Sequence, residues 1–141
     1  MTESQLAGAT QMPELTPNNL LSLEEYAEQR GDFRSKVMAH KKNRKVHLGE
    51  HATLYFEDCL TIQYQIQEML RIERIFEEEG INEELSAYNP LIPDGKNLKA
   101  TFMVEYDDVE ERKAALAKLI GIEEKVWIQF EGYDKVHPVA N

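Results

Sequence analysis

The chain has 141 residues, of which 42% are hydrophobic and 30% are charged, and its formal net charge is −10. This composition is typical of one globular domain with enough apolar residues to bury a core. No apolar run reaches the length of a membrane span, the N-terminus lacks a signal-peptide layout, and the acidic charge argues against nucleic-acid binding. A single cysteine, Cys59, excludes an internal disulfide and a cysteine-cage metal site, so a cytoplasmic location is the default expectation.

The chain is expected to begin with an arm outside the domain. Residues 1–13 are small, polar and without periodicity, which is typical of a disordered terminus. We therefore predict a disordered arm over residues 1–13 and a single α+β domain over residues 14–141.

Three short helical pieces are predicted ahead of the first strand, the first a turn that opens at Thr16-Pro17 and runs through Leu21. Ser22 and Glu25 have the spacing of a capping box, which predicts a helix directly after Ser22. Gly31 is expected to end that helix. A further helical piece is predicted over residues 33–44.

Residues 34–45 form a basic segment without any acidic residue. Its six cations are Arg34, Lys36, Lys41, Lys42, Arg44 and Lys45. Such a run is usually the solvated face of a helix, often docked against the protein's own acidic surface. Recognition of an anion or a nucleic acid is the sharper alternative.

A hairpin and a long central helix are predicted next. Two strand patterns, over residues 46–48 and 51–58, flank a Gly49-Glu50 turn with the glycine placement of type II′. Helical periodicity then runs over residues 60–79, and Gly80 is expected to stop it.

The last third predicts further strands and one helix. Alternation over residues 98–106 predicts a strand, and a helix capped by Asp108 is expected to end at Gly121. Residues 126–130 and 135–139 predict a final hairpin. The fold class is therefore α+β: a mostly antiparallel sheet of about five strands, with the long central helix, a second helix and the N-terminal helices packed on it.

The central helix carries one carboxylate where its periodicity predicts an apolar residue. At 100° per residue, Glu73 lies about 20° from Ile62, within the stripe formed by Ile62, Ile66, Met69 and Phe76. A carboxylate there needs a partner or a raised pKa. An internal salt bridge to an arginine or lysine is one interpretation, and a ligand for a metal or cationic group is the other.

No catalytic signature survives inspection, but one weak metal constellation does. His51 and Glu57 lie on the predicted hairpin, and Glu68 and Glu73 lie on the helix that follows it. Consecutive elements usually pack together, and a mixed histidine and carboxylate site would suit iron, manganese or zinc. The spacing matches no established ligand motif.

Three charged residues are candidate binding residues. Arg44 belongs to the basic segment, Glu77 opens the acidic stretch of residues 77–84, and Arg71 lies on the central helix. The basic segment and the acidic stretch are the two places where a partner protein could dock.

Three motifs carry a family resemblance: Phe56-Glu57-Asp58, YQIQEMLR over residues 64–71 and NPLIPDG over residues 89–95. With them, the chain from about residue 15 to 139 resembles a bacterial family known as domain of unknown function 3501. The resemblance implies no established activity. Members are often encoded beside rubrerythrin-like proteins and iron–sulfur oxidoreductases, which suggests a redox or peroxide-stress setting by association alone.

The resemblance also shapes the expected partners. Family members usually continue past the point that matches Asn141, so an exposed sheet edge or a swapped homodimer is expected. The favoured hypothesis is a cytoplasmic binding or accessory protein with a rubrerythrin-like or iron–sulfur partner, and neither a nucleic acid nor a membrane. The alternative is a metal-dependent protein or enzyme.

Overall fold

The computed structural model describes residues 14–139, so the predicted disordered arm over residues 1–13 lies outside the described residues. The described chain forms four α-helices and three strands, in the order α1 Leu23–Lys41, β1 Lys45–Leu48, β2 Ala52–Phe56, α2 Cys59–Glu73, α3 Glu78–Tyr88, β3 Ala100–Val104 and α4 Val109–Lys118. Short 3-10 turns are formed by Pro17–Asn19, Asn89–Leu91 and Ile122–Glu124.

The chain divides into two compact units. Residues up to Val104 form the first unit, and residues from Glu105 onward form the second. Compact units can belong to one folded domain, so the single domain over residues 14–141 stays a prediction. Each unit is described by itself.

Helix α1 begins as its sequence predicts but does not end at Gly31. Ser22 Oγ accepts a hydrogen bond from the Glu25 N–H, and the Glu25 carboxylate accepts one from the Ser22 N–H, both at 3.1 Å. The predicted break at Gly31 is wrong, because the helix continues to Lys41. Tyr26 and Val37, fully buried on either side of Gly31, hold one continuous helix, and this packing overrides the roughly 1 kcal/mol cost of an interior glycine.

Helix α2 ends earlier than periodicity predicts. Arg74 adopts the left-handed conformation with φ 54°, and the Ile75 N–H donates to the Leu70 carbonyl at 2.9 Å. Together with the bond from the Arg74 N–H to the Arg71 carbonyl at 3.3 Å, this is a Schellman ending with arginine in the usual glycine position. The predicted helix over residues 60–79 is therefore wrong beyond Glu73, because Ile75 turns back onto the core.

Gly80 lies within α3 and has a packing role. A Cβ atom added to Gly80 would stand 2.6 Å from Cγ2 of Ile75. The absence of a side chain thus allows the first turn of α3 to approach Ile75, which follows the end of α2. The prediction that Gly80 stops a helix is wrong for this reason.

The sheet has three antiparallel strands in the order β1-β2-β3. Its register aligns an apolar row, Val46 with Leu54 and Phe102, beside a mixed row, His47 with Thr53 and Met103. Leu48 pairs with Ala52, so three residues rather than two connect β1 to β2.

The α+β class is confirmed, but the expectation of about five strands is wrong. The predicted final hairpin is reduced to one bridge, between Ile128 and Val136. Both side chains are exposed, as are those of Trp127 and Phe130. A two-stranded hairpin without a buried face is marginal in water, which explains why residues 126–139 form no regular ladder.

The core of the first unit is built around α2. Its buried apolar cluster consists of Leu15, Ile62, Ile66, Leu70, Leu85 and Ile92. The predicted stripe is thus correct at Ile62 and Ile66, whereas Phe76 is 73% exposed. No residue of the three strands is fully buried, so the helices, the N-terminal segment and the loop residue Ile92 supply the core.

The second unit has one helix and no buried residue among residues 105–139. Asp108 caps α4 as predicted, since its carboxylate accepts a hydrogen bond from the Glu111 N–H at 3.2 Å. The prediction that this helix ends at Gly121 is wrong, because α4 ends at Lys118. Gly121 has φ 83° and is the N-cap residue of the 3-10 turn Ile122–Glu124.

No helix within residues 14–139 is both long enough and apolar enough to cross a membrane.

Candidate functional site

Glu68 is the centre of an ionic network that joins α1 to α2. Its carboxylate accepts bonds from the Tyr26 hydroxyl at 2.6 Å, from two guanidinium nitrogens of Arg30 at 2.9 Å each, and from Arg71 at 3.1 Å. The side chain is 13% exposed. Hydrogen bonding to Arg30, helped by Arg71 and Tyr26 and opposed by burial, lowers the pKa of Glu68 from 4.5 to about 2.

The network explains two predicted site residues. Two guanidinium groups neutralise the charge of the Glu68 carboxylate, so Glu68 forms an internal salt bridge that joins the two helices. Arg71, a candidate binding residue, donates hydrogen bonds from its guanidinium to Glu68, and its side chain is 41% exposed. The phenolic pKa of Tyr26 is raised, first by burial and then by the neighbouring Glu68 carboxylate.

Asp58 forms a second polar centre, at the start of α2. One of its oxygens accepts the Thr61 N–H at 3.0 Å and so caps the helix. The other lies 2.6 Å from His40 Nε2 and 3.5 Å from Arg44 Nε. Burial opposes ionisation, but the bonds from Thr61 and His40 and the charge of Arg44 outweigh it, so the pKa of Asp58 is lowered.

Glu57 and Arg44 are also held within the chain. The Glu57 carboxylate accepts the Thr61 hydroxyl at 2.6 Å and the Thr101 hydroxyl at 3.1 Å, which ties α2 to β3. Arg44 donates to the carbonyl oxygen of Phe56 at 3.0 Å. Both residues therefore fix the connection between the sheet and α2.

Sequence reasoning missed two side-chain amides that bind the N-terminal segment. Gln67, which is 1% exposed, bonds both the N–H and the carbonyl of Leu21, at 2.7 and 3.2 Å. Asn89 does the same to Leu15, at 2.9 Å for each bond. The sequence could have indicated Gln67, because it lies on the face of α2 that carries Ile66 and Leu70. A buried amide in that position needs hydrogen-bond partners.

The four predicted metal ligands are not brought into one group. Within residues 14–139, no three or more histidine, cysteine, aspartate or glutamate side chains are arranged to hold a metal ion. Glu68 and Glu57 have the partners described above, His51 lies on the β1–β2 connection, and Glu73 is exposed at the last residue of α2. The site for iron, manganese or zinc stays a prediction, which elemental analysis of protein purified without chelator would test.

The prediction that Glu73 lies within a buried apolar stripe is wrong. The last buried residue of α2 is Leu70, and Glu73, the final residue of the helix, is exposed to solvent. The carboxylate that is enclosed, and that has the internal arginine partner, is Glu68.

A concave surface lies where α2 passes into α3, and we call it the junction surface. Its volume is about 370 Å³, and it is lined by Arg74, Ile75, Phe76, Glu77, Glu79, Gly80 and Glu83. Phe76 is 73% exposed, and Ile72, on the last turn of α2, is 62% exposed. Glu77 is the N-cap residue of α3 but makes no capping bond with its side chain.

The charge around the junction surface is almost entirely negative. Six carboxylates lie between residues 73 and 84, with Arg74 as the only cation there, and no ion pair among residues 14–139 involves any of the six. The pKa of Glu84 is raised, first by burial and then by the charges of Glu73 and Glu83. These carboxylates therefore repel one another in the folded chain.

The basic segment lies toward the opposite end of α2. His40 contacts Asp58 at the start of that helix, whereas the junction surface begins at its end, about 22 Å away for 15 residues at 1.5 Å each. Lys41 lies over the Tyr64 ring at 5.5 Å. Arg34, Lys36, Lys42 and Lys45 are exposed and belong to no ion pair among the described residues.

Comparison with known proteins gives a family and a solved structure. The family model described as "Protein of unknown function (DUF3501)" matches residues 14–141. A crystal structure of a novel protein of unknown function from Burkholderia pseudomallei is similar, with 51% identity and a TM-score of 0.85. The match covers 89% of this chain and 71% of that protein. No curated protein matches the chain.

Proposed function

The chain belongs to the DUF3501 family of proteins of unknown function, and from this premise we propose that it is a cytoplasmic accessory protein that binds a redox partner protein. The observation that carries the proposal is the separation of unpaired charge between the two ends of α2. Exposed lysines lie near the start of α2, and exposed carboxylates lie at and beyond its end. Separated charge of this kind steers a complementary protein into a defined orientation.

The redox setting comes from the family resemblance. A rubrerythrin-like protein or an iron–sulfur oxidoreductase is the partner class that this setting suggests. Complexes of electron-transfer proteins are commonly small and weak, and long-range charge speeds their formation. A protein with charged docking surfaces suits such a complex.

Affinity capture from cells that express the full chain tests the proposal. We expect a rubrerythrin-like or iron–sulfur protein to be enriched at low ionic strength and released at about 0.5 M salt, where the Debye length falls to a few ångströms. Capture without any redox protein, or a complex indifferent to salt, would contradict the proposal.

A matched pair of variants locates the dependence on charge. Lys42→Gln with Lys45→Gln removes two exposed cations of the basic segment, and Lys113→Gln with Lys118→Gln removes two cations of α4. If the basic segment assists docking, only the first pair lowers the amount of partner captured.

A further inference from the structure

We infer that the junction surface is where the partner docks, and that the partner presents a cationic segment carrying an apolar side chain. This inference rests on the proposed binding function and names its surface and its partner chemistry. Three independent features lead to it: a rigid local backbone, an exposed aromatic side chain and an uncompensated acidic rim.

The backbone of the junction surface directs the Ile75 side chain into the core and the Phe76 side chain into solvent. The Schellman bonds fix Arg74 and Ile75, and Ile75 packs against the core cluster. Gly80 closes on Ile75 from α3. Phe76 follows Ile75 directly, and its side chain is exposed to solvent. Because the backbone on its N-terminal side is fixed, little conformational entropy is lost when a partner covers Phe76.

The local conformation is strained as well as rigid. Arg74 is the only non-glycine residue with positive φ among residues 14–139. Such conformations cost about 1 kcal/mol or more and tend to persist where surrounding structure or function demands them. Here the strain serves to place Ile75 in the core and Phe76 on the surface.

The exposed apolar side chains define what the partner must offer. Phe76 has the highest exposure of the large apolar side chains in the first unit, and Ile72 follows it. Aromatic residues are enriched in the buried centres of protein interfaces. An apolar side chain of a partner can enter the concavity beside Phe76.

The acidic rim exceeds what helix stability requires. Glu78 and Glu79, in the first turn of α3, are explained by the helix dipole. Glu83 and Glu84 lie beyond that turn, where the dipole gives no such benefit, and Glu73 lies at the unfavourable C-terminal end of α2. Cations that are brought to the surface relieve their mutual repulsion.

Charge complementarity therefore selects the occupant. A phosphate-bearing nucleic acid or an anionic membrane is repelled by the rim. A segment with lysine or arginine residues around an apolar side chain matches both the rim and the concavity. The chain's own basic segment has the right charge, which makes a second copy the competing occupant.

Binding of defined peptides to the full chain tests the inference. The probe is a fluorescein-labelled 14-residue peptide of lysine and leucine with leucines at helical i,i+3/i+4 spacing. One control peptide replaces lysine by glutamate, and another replaces leucine by serine. We expect the lysine–leucine peptide alone to raise the fluorescence anisotropy at low salt.

Variants of exposed residues then locate the bound peptide. Phe76→Ser, and the triple change Glu77→Gln, Glu79→Gln and Glu83→Gln, are each expected to weaken binding by about tenfold, as loss of an interface hot spot does. The matched controls are Leu98→Ser, at an exposed site of the same unit, and the triple change Glu24→Gln, Glu28→Gln and Asp32→Asn on α1. Circular dichroism confirms that each variant is folded.

Three outcomes would overturn the inference. They are no binding of the lysine–leucine peptide, equal weakening by the control variants, and self-association in sedimentation runs that Phe76→Ser abolishes, which would assign the surface to a second copy. The peptide assay contains no redox protein. Failure of affinity capture alone therefore contradicts only the proposed function, and failure of the peptide assay alone contradicts only this inference.

Discussion

At the scale of single residues, three polar side chains of the YQIQEMLR motif, Gln67, Glu68 and Arg71, form intramolecular bonds. Gln67 holds the backbone of Leu21, and Glu68 and Arg71 belong to one ionic network with Arg30. Removing one member of an enclosed ionic network is strongly destabilising, because the remaining charges lose their partners. The motif thus describes how α2 joins its neighbours.

The Glu68 network predicts a loss of stability in acid. The folded-state pKa of Glu68 is about 2 against an ordinary 4.5. Because the folded-state value is the lower one, its contribution is complete above pH 4.5 and is lost as the pH falls from 4.5 toward 2. Asp58 contributes in the same direction, since its pKa is also lowered.

The variant Glu68→Gln isolates this contribution. It leaves Arg30 and Arg71 without their carboxylate, and we expect the free energy of unfolding at pH 7 to fall by about 2 kcal/mol. Urea unfolding at pH 7 and at acid pH should show a flatter pH dependence than in the original chain. Glu73→Gln, an exposed change on the same helix, should stay within about 0.5 kcal/mol. Equal effects of the two variants would contradict the network's role.

The residue scale also shows what the sequence could and could not predict. Periodicity correctly predicted that Ile62 and Ile66 face the core. It placed Glu73 beside them because it could not detect that the helix ends at that residue. The sequence could not identify Glu68 as the enclosed carboxylate, because its partner Arg30 lies 38 residues away in the chain.

At the scale of elements, helix starts with a side-chain cap were predictable and helix ends were not. The caps at Ser22 and Asp108 depend on side chains within three residues of the helix start, so local sequence is enough. The ends depend on packing. Gly31 is bridged by the burial of Tyr26 and Val37, and the end of α2 is set by the return of Ile75 to the core.

The left-handed Arg74 predicts a stabilising substitution. Arg74→Gly removes the steric cost of φ 54°, and after allowance for the freer unfolded chain we expect a gain of about 0.5–1 kcal/mol. Arg74→Ala is the matched control, because it removes the side-chain charge but keeps the strained backbone. Thermal and urea unfolding should rank glycine above arginine, and alanine no higher than arginine. A gain with alanine equal to that with glycine would point to charge instead of backbone strain.

Two glycines in helices predict opposite responses to alanine. Nothing lies within 4 Å of a Cβ added at Gly31, so Gly31→Ala should stabilise the protein by about 0.5–1 kcal/mol. A Cβ at Gly80 meets Ile75 Cγ2 at 2.6 Å, so Gly80→Ala should cost about 1–2 kcal/mol. Urea unfolding measures both, and the cost at Gly80 should shrink when Ile75→Ala removes the contacted methyl. The same sign at both positions would contradict the close approach of α3 to Ile75.

At the scale of the whole molecule, the two compact units differ in burial. The buried residues of the described chain all lie in the first unit. The composition correctly suggested a buried core, but composition is an average and cannot say that one part of the chain contains it. The prediction of about five strands failed for the same reason, since strand alternation in residues 126–139 produces regular strands only where a face is buried.

This difference predicts an uneven pattern of amide hydrogen exchange. Amides of α2 are enclosed by core residues and should open only with global unfolding, whereas amides of α4 lie among residues without a buried side chain and should open locally. We expect protection factors in α4 to be lower than those in α2 by about a hundredfold or more. Exchange measured by mass spectrometry or NMR on the full chain would check this. Protection in α4 equal to that in α2 would mean that residues 105–139 unfold together with the core, and would contradict the separation inferred from burial.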